Sequence, residues 1–127
     1  MSTSLTNGII VTVRSQYIPE RSSVSGRQYA FAYTVKIANQ GDVTARLESR
    51  HWIITDAGGR VEEVRGPGVV GVQPRLRPGE SFEYTSWCVL ATPSGEMRGT
   101  YQMVTDAGAP FDAQIAPFHL GLPQSLN

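Results

Sequence analysis

The sequence predicts an all-β chain, an immunoglobulin-like or fibronectin type III-like β-sandwich of about seven antiparallel strands. Three observations carry that expectation. Tyr29, Phe31, Tyr33, Val35 and Ile37 alternate with Ala30, Ala32, Thr34, Lys36 and Ala38, the period of two that a strand with one buried face requires. Thirteen glycines and eight prolines in 127 residues would interrupt helices repeatedly but suit short strands joined by turns. No segment sustains a 3.6-residue apolar period.

Taken in order, the first strand runs from Ile9 to Ile18, rich in β-branched residues, and stops at Pro19. Glu20 to Gly26 is polar and reads as a surface loop. The alternating strand follows and ends in the turn residues Asn39-Gln40-Gly41-Asp42. A third strand, Ala45 to Thr55, carries Trp52 at its middle, where sandwiches of this type bury a tryptophan. Asp56-Ala57-Gly58-Gly59 signals a hairpin back into a short strand, Arg60 to Val64. Arg65 to Gly79 is too rich in glycine and proline for a helix. Glu80 to Leu90 is a strand with Phe82, Tyr84, Ser86, Cys88 and Leu90 on one face. Thr92-Pro93-Ser94-Gly95 turns the chain into Glu96 to Thr105, and Asp106-Ala107-Gly108 turns it into a last strand through Phe111, Ile115 and Phe118. Thr-Asp-Ala-Gly occurs at Thr55 to Gly58 and again at Thr105 to Gly108, which reads as one turn solution used twice. Tyr101, two residues before Met103, is placed for a tyrosine corner with its hydroxyl bonded to main chain.

The length fits one domain spanning residues 1–127, with 1–7 and 122–127 expected to fray. Eleven basic residues balance eleven acidic ones, which removes the electrostatic drive for general nucleic-acid binding. No run approaches the roughly 20 apolar residues of a membrane span. The single cysteine, Cys88, excludes an internal disulfide, and the first eight residues lack the features of a secretory signal. Together these predict a cytoplasmic protein.

The runs Tyr29 to Ile37, Arg50 to Gly58 and Gly66 to Pro74, together with Pro78-Gly79-Glu80, Tyr84-Thr85-Ser86 and Pro117 to Pro123, resemble the bacterial ApaG family. The resemblance covers nearly the whole chain. It implies a fibronectin type III-like sandwich, an association with cobalt resistance and magnesium efflux, and no established reaction. Similar domains in larger eukaryotic proteins act through protein–protein contacts. The chain departs from the family pattern at Pro67 and at Trp87-Cys88, and Pro67 takes an amide donor out of its loop.

Candidate chemistry is sparse. Gly66-Pro67-Gly68-Val69-Val70-Gly71 fits Gly-x-Gly-x-x-Gly, which cradles a pyrophosphate when a helix follows. Here Pro74 and Pro78 forbid that helix. A nest of Gly66, Gly68, Val69 and Gly71 amides with Arg65 and Arg75 is the alternative anion or nucleotide site, set against a loop whose glycines serve backbone shape alone. His51 and His119 lack the close ligand spacing of zinc sites, and Glu62-Glu63 point to opposite faces of a strand, so no metal site or cofactor is expected. Cys88 reads as a small buried hydrophobe, with no base in hydrogen-bond spacing, and no catalytic residue is expected. The outward face of the Glu80 to Leu90 strand presents Glu83, Thr85, Trp87 and Val89. An exposed Trp87 there would anchor a protein partner, whereas a Trp87 packed under a loop would not. The leading expectation is a non-catalytic module that binds another protein.

Overall fold

The computed structural model describes residues 1–123. Among these, nine strands form two antiparallel sheets packed face to face: β1 (Ser2–Thr6), β2 (Ile9–Tyr17), β3 (Tyr29–Asn39), β4 (Ala45–Asp56), β5 (Val61–Pro67), β6 (Arg75–Leu76), β7 (Ser81–Leu90), β8 (Ser94–Thr105) and β9 (Pro110–Gly121). One sheet has the order β1-β2-β3-β7, and the other β5-β4-β8-β9, with two-residue β6 also on β4. The sandwich is therefore as the alternation requires, with two strands more than expected.

The first addition overturns the frayed N-terminus. Asn7 and Gly8 both take positive φ, 48° and 81°, as the two central residues of a tight hairpin turn do. They fold Ser2–Thr6 back onto Ile9–Val13. The second addition, β6, extends the flank of β4 where β5 stops: β5 pairs Ser49 to Thr55, and β6 pairs Ala45 and Arg46. At the other end, Leu122 and Pro123 lie beyond β9, and residues 124–127 fall outside the described residues.

β3 lies between β2 and β7, and its alternation sends Phe31, Tyr33, Val35 and Ile37 into the core. Trp52 enters from the facing sheet and is 3% exposed. Its ring meets Tyr33 edge-on at 5.3 Å, Phe118 at 5.9 Å and Tyr101 at 6.2 Å between centroids, the offsets that aromatic quadrupoles favour. Tyr101 does not make the expected corner. It sits inside β8, and its hydroxyl hydrogen-bonds the Tyr84 hydroxyl of the opposite sheet instead of main chain. Ala30, on the opposite side of that alternation, is also only 4% exposed, because the 3₁₀ turn Pro19–Arg21 and Ser22 fold back beside it.

The two Thr-Asp-Ala-Gly hairpins share one turn but not one register. In the first, Asp56 donates its N–H to the Arg60 carbonyl and accepts from Gly59; in the second, Thr105 does the same with Ala109 and Gly108. Gly59 and Gly108 both supply positive φ, 87° and 85°. The first turn thus starts on Asp and the second one residue earlier, on Thr. In each case the starting side chain also caps the turn, Asp56 Oδ1 accepting from Gly58 and Arg60 and Thr105 Oγ1 from Ala109.

The two flanks of the sandwich differ. Along β1 and β9 the sheets are laced together: Ser4 Oγ donates to the Gln114 carbonyl and the Gln114 amide donates to Thr6 Oγ1. Ser15 on β2 likewise reaches the His119 carbonyl at 2.8 Å. On the opposite flank β5 and β7 end their sheets, with no strand partner on the outer side among the described residues, and a cleft separates them.

Candidate functional site

That cleft gathers most of the residues with chemical or recognition potential. Its floor is formed by Tyr33 from β3, Arg50, Trp52 and Ile54 from β4, and Met97 from β8. Glu62 and Val64 of β5 form one wall and Ser86 to Val89 of β7 the other. One end deepens into a cavity of about 340 Å³ bounded by Arg50, Tyr33, Tyr84, Ser86 and the Val69–Gly71 turn.

The glycine segment that bounds this end is a loop, not the start of a helix. Gly66 and Pro67 finish β5, and Val69 and Val72 exchange backbone hydrogen bonds at 2.8 and 2.9 Å. Between them Val70 and Gly71 take φ of 42° and 83°. A β-branched residue with positive φ is strained, and Val70 is exposed while held there. Gly68 is obligatory: a Cβ on it would stand 2.2 Å from the Val72 carbonyl oxygen. The loop is anchored to β4 at its bulge, Gly68 N and Gln73 Nε2 both donating to the Glu48 carbonyl. The Gly68, Val69 and Val72 amides are therefore already engaged within the protein.

Of the residues expected around this loop, the arginines are placed differently from the expectation. Arg75 projects from β6 and pairs with Asp106 at the β8–β9 turn through two nitrogens. Arg65 is largely exposed, 3.7 Å from Glu63. Arg50 is the cation that addresses the loop. Its Nη1 donates to the Pro67 and Gly68 carbonyls at 2.9 and 3.0 Å. The guanidinium lies flat against Gly66, where any Cβ would come within 2.9 Å of Nη2.

The buried hydroxyls around Arg50 hold their protons strongly. Burial pushes the Tyr33, Tyr84 and Tyr101 phenols above the ordinary range, and the guanidinium charge opposes that rise at all three. Cys88, half-buried on the same flank, is pushed up to about 11, first by burial and then by Glu62. A raised pKa keeps the thiol protonated and unreactive. At pH 8 native Cys88 should therefore react with iodoacetamide about a hundredfold more slowly than in urea, following the shift from 9.0 to about 11. A native rate within threefold of the unfolded one would refute the shielding.

Trp87 lies in the open. It is 51% exposed, with the Arg21 guanidinium 4.8 Å from its ring centroid, a cation–π contact that covers one face only. Its neighbours on the outward face of β7 are as expected: Thr85 bonds Thr34 hydroxyl to hydroxyl at 2.9 Å, Glu83 stands opposite Lys36, and Val89 is 60% exposed. Elsewhere, His51 meets Glu63 at 2.7 Å, while Glu62 turns to the cleft. Among the described residues no three His, Cys, Asp or Glu side chains cluster as metal ligands would. Among the described residues no helix is long and apolar enough to cross a membrane.

This geometry defines a two-sheet antiparallel sandwich with one laced flank and one open cleft. Residues 19–105 match the family model described as the ApaG domain. The chain is 65% identical over 127 residues to Protein ApaG of Anaeromyxobacter dehalogenans strain 2CP-1, covering 100% of both. It is 56% identical over 119 residues to Protein ApaG of Bordetella pertussis, covering 94% of this chain and 91% of that one. A crystal structure of an ApaA protein from Bordetella pertussis superposes with a TM-score of 0.90 at 56% identity, covering 92% of this chain and 95% of that one. The chain belongs to the ApaG family.

Proposed function

We propose that this protein is a non-catalytic module that docks a partner protein along its open flank. The observation that carries this reading is the apolar surface concentrated there. Val61 and Val64 on β5, Val70 and Val72 on the loop, and Trp87 and Val89 on β7 are all exposed. Two edges with free backbone groups stand beside these side chains, an arrangement that suits an extended segment added as a further strand. Tryptophan is the residue type most often found to dominate such contacts. The protonated Cys88 thiol and the high phenol pKa values favour binding over nucleophilic chemistry. The family's association with cobalt resistance and magnesium efflux would then act through the partner.

Immobilised wild-type protein and the double variant Trp87→Ala/Val64→Asp, both in the folded state, test this directly. Partners retained by the wild type should fall at least about tenfold on the variant, since a lost hot-spot residue costs roughly 2 kcal/mol or more. Equal recovery on both would remove the open flank as the docking surface.

A further inference from the structure

We propose that the cavity beside Arg50 is a binding site for a single carboxylate group, supplied by the docked partner as an acidic side chain or chain terminus. Arg50 is partly withdrawn from water, yet among the described residues no acidic side chain pairs with it. Only Nη1 is used, on the two loop carbonyls. Nε and Nη2 make no hydrogen bond to the described residues, so the fork that binds carboxylates bidentately is left free. Hydroxyls complete the site. Tyr33, Tyr84 and Ser86 line the same cavity, and when Tyr101 donates to Tyr84 the Tyr84 proton is free for a ligand oxygen. The strained Val70–Gly71 turn bounds the cavity, and backbone strain of this kind is held where the surroundings require a fixed shape.

The charge count selects the class of anion. Among the described residues Arg50 is the one cation lining the cavity. Glu62 lines the adjoining cleft, while Arg65 and Arg75 are directed to Glu63 and Asp106. One positive charge balances a carboxylate, whereas a phosphate dianion would carry uncompensated charge into a half-closed space. The cavity adjoins the cleft through Tyr33, Arg50, Trp52 and Ser86, which line both. A strand lying along β7 could therefore seat its carboxylate here.

The source of the carboxylate rests on the docking reading, but the site itself does not, and the test separates them. Full-length protein is titrated with sodium acetate, sodium phosphate or sodium chloride at matched ionic strength and followed by ¹H–¹⁵N spectra. Acetate should give saturable shifts at the Arg50 side chain and at the Ser86 and Gly71 amides. Arg50→Lys, which keeps the charge and loses the fork, should weaken them at least about tenfold. Ser86→Ala, with the guanidinium intact, should weaken them severalfold and serves if the lysine variant does not fold. No acetate shift, an equal or stronger response to phosphate, or full acetate binding in both variants would each overturn the site. Acetate binding that persists in Trp87→Ala/Val64→Asp supports the pocket even where that variant's partner recovery counts against the docking surface.

Discussion

Trp52→Ala should destabilise the protein more than any other single truncation proposed here, by about 3–5 kcal/mol. The indole is 3% exposed and held edge-on by Tyr33, Tyr101 and Phe118, which come from three strands of both sheets. Removing it costs the transfer energy of the ring and leaves a cavity that rigid aromatic neighbours cannot close. Folded domains have only about 5–15 kcal/mol in total, so the loss is a large share. For a chain of this size it corresponds to a fall of roughly 10–20 °C in Tm. Trp87→Ala makes the internal comparison. Half-exposed, with the Arg21 guanidinium over one face of its ring, it should lose no more than about 1 kcal/mol. Urea denaturation of both variants decides the matter; comparable losses would mean that Trp52 is not the centre of the core.

The second large effect belongs to Asn39→Leu, expected to cost about 2–4 kcal/mol. Asn39 is the buried polar side chain of the described core, 1% exposed. Its Nδ2 donates to the Val43 and Leu76 carbonyls at 2.8 and 2.9 Å, and its Oδ1 accepts from the Gly41 amide at 3.0 Å. Leucine fills the space but orphans all three groups, each at roughly 1 kcal/mol or more. Asn39→Asp adds a pH signature. A carboxylate there would turn an oxygen toward two carbonyls, so its folded pKa must rise above the unfolded value of about 3.9. The variant's deficit should therefore grow as pH rises from 4 to 7 and shrink in acid, where the proton restores a donor. A deficit that is the same at pH 4 and pH 7 would show that position 39 is not enclosed as described.

Asn39 also shows where local reading stops. As part of Asn-Gln-Gly-Asp it carries the chemistry of a surface turn, and a turn does follow it. Its burial depends on β6 and the Arg77–Gly79 turn arriving from almost forty residues later, which no local pattern encodes. The reverse holds for the N-terminus. Asn7-Gly8 between Ser2–Thr6 and the Ile9 strand is a strong hairpin signal, and the expectation of a frayed end overlooked it. The alternation of β3, the mid-strand Trp52 and both Asp-Ala-Gly turns were readable because each is fixed by side-chain period or turn stereochemistry alone. The site was less so. Trp87 could be placed on the outward face of its strand, but not covered or uncovered. Arg50 is one of ten arginines and bears no mark in its neighbours. What distinguishes it is partial burial without a carboxylate beside it, whereas the other arginines are exposed, and burial of that kind is decided by the fold rather than by spacing.

The two unpaired margins that make docking feasible also expose the molecule to indefinite self-association, since an uncovered strand will template any other. β5 carries its own deterrents. Glu62, Glu63 and Arg65 would set like charges close together in a stack of identical chains, and Pro67 offers no amide to continue a ladder. Glu83 on β7 adds a further charge. On the proposed docking reading the rim would admit one complementary ribbon yet resist fibril growth, a discrimination that depends on a few charged side chains rather than on any lid.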